Sequence, residues 1–178
     1  GDILVTGATG GVGSLACGIL CHLGYTVTGV SGKSDTGLLK GLGVKGIINR
    51  KEFIKDADAP MLKTRWAGVI DTVGGDILAC AITSTDLDGV VTCCGNVASP
   101  DLPINVFPFI LRGISLAGID SQHCPMHIRE SIWHKLATEW KFDKLSTLAE
   151  QISLDDLDEK IQAILAGRLK GRTLVCLD

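Results

Sequence analysis

Residues 3–23 read ILVTGATGGVGSLACGILCHL, and three kinds of local order follow one another within them. Ile3, Leu4, Val5 and Thr6 form an uncharged run of strand-favouring residues that stops at Gly7, which suits a strand buried on both faces. A glycine-rich turn comes next. Beyond it Val12, Leu15, Ala16, Ile19, Leu20 and Leu23 recur at steps of three and four, one apolar helix stripe, and Gly24 supplies a left-handed stop. The unit is strand, turn, helix.

In that setting Ala8-x-Gly10-x-x-Gly13 matches the dinucleotide fingerprint with alanine in the first place. Gly10 has no Cβ, so a pyrophosphate can approach the backbone, and Gly13 allows the helix to lie close to the sheet. The start of the helix offers unpaired N–H groups and the positive end of its dipole, both of which favour an anion.

Similar units follow. Tyr25–Val30 reads as a second strand, and its far end carries no acid. An NAD-preferring site usually has Asp or Glu there for the ribose hydroxyls; this chain has Ser31-Gly32-Lys33-Ser34. A hydroxyl, a free backbone and an ammonium at that place suit a 2′-phosphate, and Arg50, just past the strand Gly46–Asn49, reaches the same place from the neighbouring strand end. NADPH is therefore the expected coenzyme. Asp35 is read as a cap for the helix of Leu38, Leu39 and Leu42.

Residues 51–65 read as a connection with one helical turn. Trp66–Asp71 is a fourth strand, Asp76–Thr83 a helix, Gly89–Cys93 a fifth strand and Gly113–Asp120 a sixth. The alternation predicts an α/β, Rossmann-type doubly wound parallel sheet with helices on both faces and ligands at the carboxyl ends of its strands. Val73, Asn96 and Ser121, with Asp120 beside it, should then line the coenzyme groove. Residues 98–111, with three prolines, form a long loop, non-helical at first. An amphipathic helix from about Met126 carries Trp133 and Trp140, read as packing residues. Residues 147–154 fit no single element; Leu157–Leu165 is a helix and Arg172–Leu177 a last strand.

Composition narrows the function classes. The 178 residues are 46% hydrophobic without a run long enough to span a membrane, and the net charge of −3 comes without basic clusters, which argues against nucleic acid or an anionic membrane as partner. Aromatic residues are 4%, too few for a base-stacking platform. The seven cysteines are an odd number without paired zinc-type spacing, as in a cytoplasmic protein with reduced thiols. His123-Cys124-x-x-His127 starts like a metal site but has no second pair to complete it, so no metal is expected.

VTGATGGVGSLA, SGKS, WAGVIDTVGGDILA, CCGNVASPDLPINVFPFILRGISLAGIDS, QISL and the closing GRTLV together resemble the medium-chain dehydrogenase/reductase superfamily, in its acryloyl-CoA reductase and quinone oxidoreductase-like branch. The resemblance spans essentially the whole chain, and PFILRGISLAGIDS is its most specific part. It implies a zinc-independent, NADPH-dependent reduction of an activated carbon–carbon double bond in an enoyl-CoA or quinone acceptor by hydride transfer, and a homodimer for the full-length protein. Carried over by position, Thr9, Gly10, Gly11 and Val12 meet the pyrophosphate, Ser31, Gly32, Lys33 and Arg50 the 2′-phosphate, and Asn96 and Ser121 the ribose or nicotinamide.

The superfamily also has a separate β-rich domain that supplies much of the substrate site, and nothing here corresponds to it. The expectation is a coenzyme domain over 1–145, with 146–178 a helix and strand that return to the absent domain and leave the last strand without its proper partners. Such a chain binds NADPH without turnover, and no residue in it is assigned a catalytic role. Two other readings stand beside this one: a non-catalytic NADPH-sensing module, and a short-chain dehydrogenase-like protein. The latter needs a tyrosine with a lysine four residues on, whereas the one tyrosine, Tyr25, has Gly29 at that spacing.

Overall fold

A computed structural model describes residues 1–177. Six strands, β1 (Ile3–Val5), β2 (Val27–Ser31), β3 (Gly46–Asn49), β4 (Trp66–Asp71), β5 (Thr85–Cys93) and β6 (Ser115–Gly118), form one sheet in the order β3-β2-β1-β4-β5-β6. Every pairing is parallel. The order reverses between β1 and β4, so a crevice opens there beyond the carboxyl ends of the strands.

Successive residues of β1 explain the two-faced layering. Leu4 and Val5 are both fully buried, but alternation sends them to opposite faces. Leu4 joins Val30, Trp66, Val69, Val91 and the Leu78 and Ile82 side chains of α4 (Gly75–Thr83). Val5 joins Cys17 of α1 (Gly11–His22), Leu39 of α2 (Gly37–Gly41), Phe142 and Leu148. Burying each contributes roughly 1.5–3 kcal/mol. Cys17 serves as a small hydrophobe here, and burial pushes its thiol up to about 12.

The connections carry α3 (Arg50–Phe53), α5 (Phe107–Arg112) and α6 (Met126–Ala137). Arg112 of α5 donates to the carbonyls of Thr83, Thr85 and Leu62, closing the carboxyl end of α4. After a one-turn 3-10 helix at Leu145–Leu148 come β7 (Ala149–Ile152), α7 (Leu157–Leu165) and β8 (Arg172–Val175).

Four expectations are corrected. Residues 149–152, unassigned from the sequence, form a strand: β7 pairs in parallel with β8, Ala149 opposite Arg172 and Ile152 opposite Val175. β2 starts at Val27, because Tyr25 follows the α1 stop and is 51% exposed. β5 starts earlier than expected, at Thr85. The tryptophans of the amphipathic helix do not both pack: α6 has no buried residue and Trp133 is 65% exposed, since nothing among the described residues covers that stripe.

Candidate functional site

The turn after β1 is held by geometry that only glycine meets. Gly7 has φ +58°, and its carbonyl accepts the Gly10 amide at 2.8 Å. A Cβ on Gly13 would collide with the Gly7 carbonyl, so Gly13 is what lets α1 start against the turn. Gly10 caps α1 with no side-chain hydrogen bond, and the first-turn amides of Gly11, Val12 and Gly13 have no acceptor within the helix. Arg172 comes over this end: a Cβ on Gly11 would lie 2.9 Å from its Nε. A cation beside a helix N-terminus opposes the dipole, and an anion lying between the two reconciles them.

At the next strand end Thr9 and Ser31 share a hydrogen bond of 2.9 Å, both buried. The Lys33 amide donates to Ser31 Oγ at 3.1 Å and its Nζ reaches Thr9 Oγ1 at 3.4 Å. The Arg50 guanidinium lies over Gly32, where an added Cβ would stand 3.1 Å from its Cζ. Asn49 accepts the Lys51 amide and so starts α3, which sets Arg50 at its first position.

These groups line one crevice of about 630 Å³, large enough for a nucleotide. Thr9, Gly10, Ser31, Gly32, Lys33 and Arg50 are on its walls, together with Val73. Gly11 and Val12 are set back from it, as the first turn of α1; Val12 is 47% exposed. Asn96 does not share the crevice. It lines an adjoining open depression with Cys93, Cys94 and Asp120, while Val97, its neighbour, belongs to the first crevice. Ser121 lines neither; it is exposed, and its carbonyl accepts from Arg129.

The sequence reading missed the far wall. Ala166, Gly167, Arg168 and Lys170 also line the crevice; the Gly171 amide donates to the Thr9 carbonyl at 3.0 Å, and Lys170 pairs with Asp35. Residues 166–171 are thus docked on the coenzyme unit. A cue was there: Arg168, Lys170 and Arg172 stand at alternate positions after a helix stop. Four cations and one carboxylate, Asp35, now surround one end of the crevice. Burial and then the Lys170 charge hold the Lys33 ammonium below the ordinary lysine range. The hydrogen bond from Lys170, then that from the Gly37 amide, lowers the exposed Asp35 carboxyl. Asp35 does not cap α2 as expected: Thr36 holds the cap position without a side-chain hydrogen bond, and Asp35, one residue earlier, accepts the Gly37 amide at 2.9 Å.

The residues fit a dinucleotide phosphate: a Cβ-free turn, free helix amides, and buried hydroxyls beside cations with room between them. Among the described residues no group of three His, Cys, Asp or Glu could hold a metal, and His123 instead pairs with Asp120 at 2.7 Å.

Comparison with known proteins places the chain among dehydrogenases and reductases. The zinc-binding dehydrogenase family model matches residues 11–138. Acrylyl-CoA reductase AcuI of Ruegeria pomeroyi is 39% identical over 98% of this chain and 53% of its own. The crystal structure of Escherichia coli K-12 YhdH with bound NADPH superposes with a TM-score of 0.94 at 40% identity, covering all of this chain and 55% of that one. Bacillus subtilis YhfP, solved with NAD bound, gives 0.92 at 37% identity, covering 99% and 54%. The chain spans about half the length of these relatives. It belongs to the zinc-binding dehydrogenase family, within the medium-chain dehydrogenase/reductase superfamily.

Proposed function

We propose that the chain is the NADPH-binding part of an oxidoreductase that reduces an activated carbon–carbon double bond, in an enoyl-CoA or quinone-like acceptor, by hydride transfer and without zinc. The observation that carries the coenzyme half of this reading is the end of the crevice, where Thr9, Ser31, Lys33 and Arg50 converge with no acid at the tip of β2. The acceptor half leans on the names of the relatives, one of them an acrylyl-CoA reductase.

NADPH, when bound, supplies the hydride. This chain's part is to bind and orient. Gly10 and the first amides of α1 take the pyrophosphate, Ser31, Gly32, Lys33 and Arg50 the 2′-phosphate, and Val73 lies along the wall towards the nicotinamide, with Asn96 in the depression beyond it and Ser121 farther out. Residues 1–145 are the coenzyme domain, and 146–178 also face the β-rich domain that shapes the acceptor pocket. The exposed Leu174 and Ile164 suit that contact. β6 ends the sheet with exposed Ile110, Leu111 and Leu116 near it, and pairing of two such edges about a two-fold axis is the route to a homodimer. Seven unpaired thiols suit the cytoplasm. No helix among the described residues is long and apolar enough to cross a membrane.

Titrating the chain with NADPH and NADH tests this. Each charge-assisted hydrogen bond to the phosphate contributes roughly 1.5–3 kcal/mol, so NADPH is expected to bind at least about tenfold tighter, with the preference lost in Lys33→Ala and Arg50→Ala. Equal affinities, unmoved by either substitution, remove the assignment.

A further inference from the structure

Asp71, the last residue of β4, is fully buried, and no cation among the described residues pairs with it. Its carboxylate takes neutral partners instead. From β1, Thr6 Oγ1 donates at 2.6 Å; from the turn before α4, the Val73 and Gly74 amides donate at 3.2 and 2.9 Å; from β5, the Cys93 thiol lies 3.7 Å away. A buried carboxylate without a counter-ion is costly unless its lone pairs are well satisfied. Here four donors from three adjacent strand ends satisfy them.

The bonds continue outward. Thr6 Oγ1 accepts the Thr72 amide at 3.1 Å, and Thr72 Oγ1 donates back to the Thr6 carbonyl at 3.0 Å. Beyond the turn, the Val73 carbonyl accepts the Ala98 amide at 2.9 Å and Gly74 bridges to Ser99. The loop bearing Asn96 and Val97 therefore hangs on Val73 and Gly74, which hang on Asp71. Thr72, Val73 and Val97 are the crevice wall at the end away from Lys33 and Arg50.

We propose that Asp71 is a positioning residue for the nicotinamide end of the coenzyme. It ties the ends of β1, β4 and β5 into one rigid wall, while Thr9, Ser31, Lys33 and Arg50 set the adenosine end without it. The proposal rests on the NADPH reading above. Asp71 does not touch the coenzyme; it acts through the Thr72–Val73–Gly74 turn.

Asp71→Asn keeps the size of the side chain but replaces one oxygen by an N–H₂, which can accept neither from Thr6 Oγ1 nor from the Val73 and Gly74 amides, so one side of the wall is released. The test measures the affinity of the full chain for NADPH and for adenosine 2′,5′-bisphosphate, which has the adenosine end alone. NADPH binding is expected to weaken about tenfold while the bisphosphate stays within about twofold. Thr6→Val, which removes one donor to the carboxylate, is expected to shift NADPH the same way by about threefold, and it decides the matter if Asp71→Asn does not fold. Parallel weakening of both ligands, or unchanged NADPH binding, overturns the proposal. Lys33→Ala serves as the control: if it weakens both ligands while the Asp71 and Thr6 variants change nothing, only the positioning role fails. A wild-type chain that binds neither ligand overturns the coenzyme reading and this proposal together.

Discussion

The hydroxyls of Thr9 and Ser31 meet at 2.9 Å although 22 positions separate them, and the bond ties the glycine turn after β1 to the end of β2. Each residue alone is ordinary turn chemistry. Together they fix where the part of the crevice beside the glycine turn passes into the part lined by Lys33 and Arg50.

Thr9→Val removes that bond and the acceptor facing Lys33 Nζ, and leaves Ser31 Oγ still accepting the Lys33 amide. A buried neutral hydrogen bond contributes about 1 kcal/mol, so Tm should fall by about 2–4 °C for a chain of this size. NADPH affinity should fall about fivefold. Thermal unfolding followed by circular dichroism, with a coenzyme titration, checks both.

Asp35 and Lys170 should act with opposite signs. Asp35→Asn takes the one carboxylate out of a ring of cations and is expected to tighten NADPH binding. Lys170→Gln removes a cation and is expected to weaken it. Both effects should shrink as salt is raised from low to physiological ionic strength. Titrations at two salt concentrations read the sign and the screening at once.

Lys33 gives the binding a pH limit. Its ammonium is lowered by burial and by Lys170, and only the protonated form attracts the 2′-phosphate. NADPH affinity should therefore fall as pH rises, starting below the ordinary lysine range, while NADH affinity stays level over the same interval. Lys33→Arg, which stays charged throughout, should abolish that alkaline limb with Arg50, Arg168, Lys170 and Asp35 unchanged. A limb that persists in Lys33→Arg assigns it to another group.

Gly13→Ala should be a stability variant first. The added methyl meets backbone, the Gly7 carbonyl, which cannot move aside as a side chain would. Overpacking of this kind costs about 1–3 kcal/mol, measurable as a lower urea midpoint.

The sheet was readable because its signals are local. Short apolar runs marked β1, β3 and β4, and the strand ends carried Thr9, Gly10, Ser31, Lys33, Arg50 and Val73 to one crevice. Asn96 and Ser121 also stand near strand ends, yet the loop after β5 turns Asn96 into the next depression, and Ser121, just past β6, lines neither. Arg168 and Lys170 belong to no strand end, and the contact of Lys170 with Asp35 spans 135 positions; no local pattern announces such a meeting. The partner of β8 was missed for the same reason, since residues 149–152 become a strand only by lying beside it.

The docking of residues 166–171 against Thr9 and Asp35 also orders events in time. A ribosome adds roughly 5–20 residues each second, so the 135 positions between Asp35 and Lys170 take on the order of ten seconds to emerge. Until then the opening βαβ units of the nascent polypeptide lack one wall of their crevice. The crevice is thus complete only once residues 166–171 have emerged.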